Sequence, residues 1–374
     1  MINYKIDFLD GAKVSIIKGD SKNYKIYFIN NDTNNIEYST ILSEGKWAKT
    51  NTRYFINWNI KIEDDNSNII VDYNLNLENK KVLVTLESRS LGDSLAWTPY
   101  VEEFRKKHNC EIYYSTFKNE LFLNKYDKIN FIKPGIIPEN TFAKYRIGWF
   151  NPIQYNNPQD YKKIPMQQTS SDILGLKYKE IKPIINTINI NKPVNYKYVC
   201  IAEYSTANAK HWHYPNIDNN KGWQTIVDWL NHIGYKVMVI SLQETKLKNI
   251  IDRTGNYPLS CRMIEIQHSE FFIGVGSGLS WLAWALNKKV VMISGFSEPY
   301  CEFKEDNIRI HNPNVCHGCF NHYKFDRGDW NWCPVFKNTS KQFECTRNIT
   351  PKMVATEIVK NKLVDNLSDF NFDY

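Results

Sequence analysis

The chain has no apolar run long enough to cross a bilayer. The longest, Phe271 to Leu286, carries Gly274, Ser277 and Ser280 and falls short of the ~20 residues a span needs. Its start, Met1-Ile2-Asn3-Tyr4-Lys5-Ile6-Asp7, lacks the apolar stretch of a signal peptide. No basic cluster stands out beyond Arg105-Lys106-Lys107, and 47 basic against 40 acidic residues leave a net charge of only +7. That excludes a dedicated nucleic-acid binder and fits a small anionic ligand. The dinucleotide fingerprint G-x-G-x-x-G is missing, because Leu279 stands where a third glycine would be needed. Without a secretory signal, the eight cysteines do not read as a disulfide framework. Cys110, Cys200, Cys261 and Cys301 are scattered, as buried free thiols usually are. These absences predict a soluble protein of the reducing cytoplasm.

What is present is an α/β pattern with an all-β preface. Residues 1–80 hold short β-forming stretches, such as Lys25–Ile29 and Tyr54–Ile60, divided by turns such as Asn30-Asn31-Asp32 and Asp64-Asp65-Asn66. They predict a small barrel or sandwich as an accessory domain. From Lys81 the character changes. Val82-Leu83-Val84-Thr85-Leu86 reads as a buried parallel strand, followed by a loop, a helix from about Leu95 to His108, and a strand from Cys110 to Tyr114. Tyr145 to Phe150 reads as a later strand with its exit. A proline-punctuated linker, Leu174 to Pro193, closes this first lobe at about residue 190. A second lobe over 191–300 has strands at Tyr198–Ala202, Lys236–Ile240, Cys261–Glu265, Phe271–Val275 and Val290–Ile293. Its helices are Gly222–Ile233, closed by Gly234, and Trp281–Leu286. A cysteine module over 301–350 and a helical tail over 351–374, frayed from Asp365, complete the chain. Two α/β halves joined by a linker predict a two-lobed enzyme with its site in the cleft.

Three stretches carry chemistry. Cys316-His317-Gly318-Cys319, Cys333 and Cys345 place four thiols within thirty residues that are otherwise loop-like and aromatic. A C-x-x-C turn brings two sulfurs to one side, and two more complete a tetrahedral set for Zn(II) or iron. A site closed by four protein ligands is structural; the alternative is free or bridged cysteines. Gly274-Val275-Gly276-Ser277-Gly278-Leu279-Ser280 joins a strand to a helix, where free N–H groups suit a phosphate or the glycines simply allow close packing. Ser205, Thr206, Lys210 and His211 follow the lobe's first strand, with groups that can neutralise a diphosphate or lie solvated on a loop. Asp93, beside Gly92, is placed to take a proton from an acceptor hydroxyl or, with Ser94, to cap the helix near Leu95. His211 and His213 at i, i+2 are a poor metal pair, and Trp281 with Trp284 reads as core.

Together these stretches resemble one family. Ser90-Leu91-Gly92-Asp93-Ser94-Leu95-Ala96-Trp97 is similar to the first-lobe loop of bacterial heptosyltransferases. Gly276 to Leu286 resembles their nucleotide-phosphate loop. With the four-cysteine set, the chain resembles the protein O-heptosyltransferases that modify autotransporter adhesins. The resemblance implies a GT-B core of two Rossmann-like lobes preceded by the small all-β domain. It implies Asp93 as the base that activates an acceptor serine. It implies Ser205, Thr206, Lys210, Gly276, Ser277, Gly278 and Leu279 around an ADP-heptose diphosphate, and Cys316, Cys319, Cys333 and Cys345 around a structural ferric ion (zinc being the alternative). A homo-oligomer and an adhesin partner are implied as well. Gly276-Ser277 stands where the lipopolysaccharide enzymes have Asp-Thr, and Trp281 where they have His, so backbone contacts are the safer expectation. A lipopolysaccharide-type transferase and a non-catalytic, metal-stapled scaffold are the alternatives.

Overall fold

The structure, a computed structural model, describes residues 2–148, 156–189, 191–213 and 218–372. Two compact units are formed: Met1–Arg89 with Ala96–Tyr161 and Met166–Ile184, and Ser90–Leu95 with Lys162–Pro165 and Ile185–Tyr374.

The first unit holds β1 (Asn3–Leu9), β2 (Lys13–Lys18), β3 (Tyr24–Asn30), β4 (Asn35–Leu42), β5 (Trp47–Lys49), β6 (Trp58–Glu63), β7 (Ile69–Asn74), β8 (Lys81–Leu86), β9 (Glu111–Ser115), β10 (Ile129–Phe131) and β11 (Ala143–Ile147). Strands β3, β4, β6 and β7 make an antiparallel sheet in the order β4-β3-β6-β7. Its turns use the residues expected: the Asp64 carboxylate accepts from the amides of Asn66 and Asn68, both at 2.9 Å, and Asn34 and Ser67 take left-handed dihedrals. Strands β1, β2 and β5 go elsewhere. They extend the α/β sheet, in the order β10-β9-β8-β11-β1-β2-β5, with β1 parallel to β11. The segment 1–80 is therefore divided between two sheets and does not close on itself. The reason is the pairing of Phe8 and Leu9 with Ala143 and Lys144, a partner far away in sequence.

Helix α1 (Leu91–His108) covers one face of this sheet. Val84 lies in register with Tyr114 and Tyr145. The Tyr114 hydroxyl bonds Thr98 at 2.9 Å, and Tyr145 meets Phe104 edge-on at 5.5 Å. The opposite face carries Thr85, Lys144 and Arg146, the last held by the Asp10 carboxylate at 2.8 and 2.9 Å. The expected strand Tyr145–Phe150 ends at Ile147; Trp149 and Phe150 lie outside the described residues. Helix α2 (Met166–Ile173) follows, and Leu174 to Pro193 has neither helix nor strand among its described residues, as its prolines predict.

The second unit is a parallel sheet of β12 (Tyr198–Ala202), β13 (Lys236–Val239), β14 (Ile251–Asp252), β15 (Phe272–Val275), β16 (Val290–Ile293) and β17 (Asn307–Ile310), in the order β14-β13-β12-β15-β16-β17. Every residue of β12, β15 and β16 is buried, which is why these strands read as unbroken apolar runs. Helices α3 (Lys221–His232), α4 (Leu259–Gln267), α5 (Gly278–Ala285) and α6 (Pro351–Lys360) accompany it. Strand order reverses between β12 and β15, so their exit loops lie side by side at the carboxyl edge, where such sheets bind ligands.

Three expectations are corrected. Cys261–Glu265 is not a strand but part of α4, whose turn brings Arg262 onto buried Glu265 at 2.8 Å, an i, i+3 pair. The sheet does not end at residue 300: Asn307–Ile310 adds β17. The tail is not frayed through Phe372. Leu363, Leu367, Phe370 and Phe372 pack on the core, and the Trp229 indole donates to the Leu367 carbonyl at 3.1 Å. Asp373 and Tyr374 lie outside the described residues. Deleting residues 365–374 is expected to lower the unfolding free energy of the chain by about 2–4 kcal/mol, the scale of exposing two or three partly buried apolar side chains. Urea denaturation followed by tryptophan fluorescence checks this, because Trp229 loses its cover.

Candidate functional site

The site grows from the two exit loops of the second sheet. β15 ends in Val275, and Gly276-Ser277 turns the chain into α5. Ser277 is the N-cap, in an extended conformation, but its hydroxyl makes no capping bond. That hydroxyl is buried without a hydrogen-bond partner among the described residues. A buried, unsatisfied donor at a helix N-terminus fits an anion that brings its own acceptors. Gly276 has little room. A Cβ there would stand 3.1 Å from Oε1 of Glu302. Glu302 is held in turn by Arg309 at 2.7 Å and by the Ser297 hydroxyl at 2.8 Å. Gly278 is tighter. A Cβ would stand 3.0 Å from that of Leu91 and 3.2 Å from the Gly92 nitrogen. Gly92 lies against Trp281 in the same way, at 3.3 Å. The glycines are needed for close approach, as the bland reading held, and that approach brings in the loop that carries Asp93.

Asp93 is not the cap. Helix α1 starts at Leu91, earlier than Leu95, and the Ser90 hydroxyl lies 3.5 Å from the Asp93 amide. The Ser94 hydroxyl donates to the Ser90 carbonyl at 3.0 Å. Asp93 is thus the third helical residue, half-buried, where the helix dipole favours a carboxylate. Both it and the segment Ser90–Leu95 belong to the second unit.

The loop after β12 carries the other groups. Glu203 is 2% exposed and bonds Thr245 at 2.9 Å. Burial pushes its pKa up to about 7, against the pull of hydroxyls from Thr245 and Tyr204. Ser205 is half-buried and Thr206 exposed. His211 bridges Ser205, its Nε2 lying 3.0 Å from both the amide nitrogen and the carbonyl oxygen. Burial lowers its pKa to about 4, which suits a neutral structural role. His213 faces the Ile349 carbonyl at 3.2 Å, so the two histidines serve the fold separately. Lys210 ends the 3-10 turn Asn208–Lys210, its ammonium 5.2 Å from the centre of the Phe296 ring. Removal from water lowers its pKa, the carboxylates of Glu302 and Asp93 push it back up, and Arg327 adds to the fall. Lys210 is therefore no solvated-loop lysine. It stands within electrostatic reach of Asp93, Glu302 and Arg327 together.

Three of the four cysteines share one small core. Cys316, Cys319 and Cys333 pack with Phe296, Phe320, Phe325 and Trp332. Phe296 is the hub, its ring meeting Phe320, Phe325 and Trp332 at 5.4, 5.4 and 5.7 Å. Cys316 and Cys319 share a hydrogen bond, and the Cys345 thiol feels the charges of Cys319, Cys333 and Cys316. Burial pushes Cys319 up to about 12. No metal-binding group of three or more ligands forms among the described residues. Gly318 takes φ of +68°, as the C-x-x-C turn demands. Cys110, Cys200 and Cys301 are buried free thiols, while Cys261 is partly exposed. Trp281 and Trp284 are core, with Phe303 stacked on Trp284 at 4.4 Å.

Sequence reasoning missed Glu203, Ser297, Glu302, Arg309, Arg327, Trp330 and Asn331. Glu203 had a signal, a carboxylate directly ending an apolar strand. The rest are brought in by folding from segments with no periodic or spaced pattern.

No known family profile matches the sequence. The autotransporter heptosyltransferase Aah of Escherichia coli is 35% identical over 364 residues, covering 93% of this chain and 90% of that protein. The crystal structure of the iron-containing dodecameric glycosyltransferase TibC from enterotoxigenic E. coli H10407 matches with a TM-score of 0.87 at 33% identity, over 96% of this chain and 95% of that one. The structure of TibC with ADP-D-beta-D-heptose matches with a TM-score of 0.86 at 32% identity, over 98% and 97%. The α/β units have the GT-B fold of these enzymes, and the chain belongs to the autotransporter heptosyltransferases.

Proposed function

We propose that this glycosyltransferase moves heptose from an ADP-linked donor to serine hydroxyls of an autotransporter adhesin, inverting the anomeric carbon. The observation that carries the reading is the contact of Gly278 with Leu91 and Gly92, which brings the turn that carries Asp93 against the first turn of α5, with Lys210 in electrostatic reach of Asp93. Asp93 takes the proton of the serine hydroxyl as its oxygen attacks C1. The bond from C1 to the diphosphate breaks, and ADP leaves with its charge. Lys210, the Ser277 hydroxyl, the amides of Gly278 and Leu279, and Ser205 and Thr206 from the facing loop receive that charge. Inversion follows from a single displacement with base and leaving group on opposite faces of the sugar.

Three thiols in one aromatic core, with the Cys345 thiol coupled to them electrostatically, supply the donor chemistry of a tetrahedral metal, and Cys316, Cys319, Cys333 and Cys345 would hold iron, as TibC is iron-containing. The ion would staple a segment whose own core is small. A homo-oligomer is proposed on the same likeness. No helix among the described residues is long and apolar enough to span a membrane, and the site of action is proposed as the cytoplasm.

Co-expression with an adhesin passenger fragment, read by intact mass, is expected to add whole heptose units. Addition to a lipid A-core acceptor with the adhesin ignored would overturn the acceptor assignment. Asp93→Asn is expected to cut turnover by ~10²–10⁴-fold while ADP still binds; near-normal turnover removes Asp93 as the base. Lys210→Ala is expected to cost about 10²-fold in kcat, since it meets charge that develops only as ADP departs. Purified protein is expected to carry iron with thiolate-to-metal absorbance, lost together with thermal stability in Cys345→Ser. A colourless, zinc-loaded protein would refute the iron assignment.

A further inference from the structure

The metal module, read from sequence as a staple apart from the chemistry, is docked on the donor loop. The amide of Asn208 donates to the Trp330 carbonyl at 3.1 Å, and the Asn208 side-chain amide bonds that of Asn331. The Trp330 ring meets His211 edge-on at 5.6 Å. Phe296, the hub of the cysteine core, is the ring under the Lys210 ammonium. Both sides of the turn Asn208–Lys210 are thus fastened to residues 296–332.

The same loop brings a cation. Arg327 is exposed and makes no ion pair among the described residues. The acids beside it are engaged elsewhere: Asp326 accepts from the Gly328 amide at 2.8 Å, and Asp329 holds Lys337 at 2.7 Å. Lys341 of the module lies over Phe336 at 5.4 Å, and Arg347 bonds Asp218 at 3.0 Å. Arg327 sits on the loop that Trp330 and Asn331 fasten to the Lys210 turn, and its charge disfavours that of the Lys210 ammonium. Lys210 has the carboxylates of Glu302 and Asp93 in reach, whereas Arg327 has no acid of its own among the described residues, so the loop brings an uncommitted cation to the Lys210 turn, where an anion would be held by both. The buried, unsatisfied Ser277 hydroxyl and the α5 N-terminus supply the rest of an anion site.

We infer that the Cys319–Cys333 loop is part of the donor site: Arg327 binds the donor diphosphate alongside Lys210, and Trp330 with Asn331 holds the turn that carries Lys210. This rests on the ADP-linked donor proposed above. A guanidinium suits the task because its planar fork can bond two phosphate oxygens at once.

Calorimetric titration of the intact, metal-loaded protein with ADP and with adenosine tests it. Arg327→Gln is expected to weaken ADP about tenfold and leave adenosine unchanged, and Arg327→Lys to recover part of the loss. ADP affinity within twofold of wild type in Arg327→Gln overturns the phosphate role while leaving the donor reading intact. A wild-type protein that does not bind ADP overturns both. Arg327 is exposed, so folding is not at stake. For the brace, Asn331→Ala is expected to speed amide exchange across residues 203–211 at least several-fold, with exchange in β12 unchanged. Unaltered exchange over 203–211 overturns it.

Discussion

Everything in the site depends on one steric constraint, the lack of space for a side chain at Gly278. The first turn of α5 meets the first turn of α1 there, with Leu91 and Gly92 closer than van der Waals contact to where a Cβ would stand. Both helices present their N-terminal ends to the same region. Two positive dipole ends attract anions, and the chain answers one of them itself with Asp93. The other, at Ser277, keeps an unsatisfied hydroxyl. One end thus has its own carboxylate and the other is left for a ligand. On the function proposed above, that asymmetry would separate the proton-accepting side of the site from its phosphate side.

The electrostatics follow from it. Lys210 is drawn partly out of water, which alone would favour its neutral form, and Asp93 and Glu302 hold its charge. Glu302 is itself committed to Arg309 and Ser297, so its support of Lys210 is shared. A diphosphate arriving at Lys210 would strengthen the charged form further. Charge stabilisation of this kind is useful to a leaving group because the partners are in place before the bond breaks.

The parallel strands β8, β12, β15 and β16 were legible because burial on both faces leaves an uninterrupted apolar run. So were the turns of β3–β7, since Asn and Asp announce them locally. The α4 helix was not. Cys261–Glu265 has no alternation that rejects a strand, and what decides it is the Arg262–Glu265 pair together with Arg253 on Glu265 at 2.7 Å. The division of residues 1–80 between two sheets was hidden for a related reason. Parallel pairing of β1 with β11 depends on a partner more than a hundred residues away, and no local pattern records it. The alternative reading of Asp93 or Ser94 as the cap fails, because Ser90, Asp93 and Ser94 all satisfy the composition of a helix start and only the backbone tells them apart.

The cysteine segment shows the limit most clearly. Spacing identifies thiols able to share a metal, and it is silent on which surface the intervening loop rests on. That loop of thirteen residues between Cys319 and Cys333 has too few apolar groups to fold alone, and its aromatic residues Phe325 and Trp332 need Phe296 of the lobe to complete a core. The proposed metal would fix the sulfurs at one end of the loop; docking on Asn208 fixes the other. Neither anchor suffices by itself, since a chain tied only at its cysteines would sample many positions for Arg327, and the docking bonds amount to one backbone and one side-chain pair. The two together make the order of the metal site and the order of the donor loop a single property. A staple at these cysteines would then be inseparable from the charge geometry at Lys210.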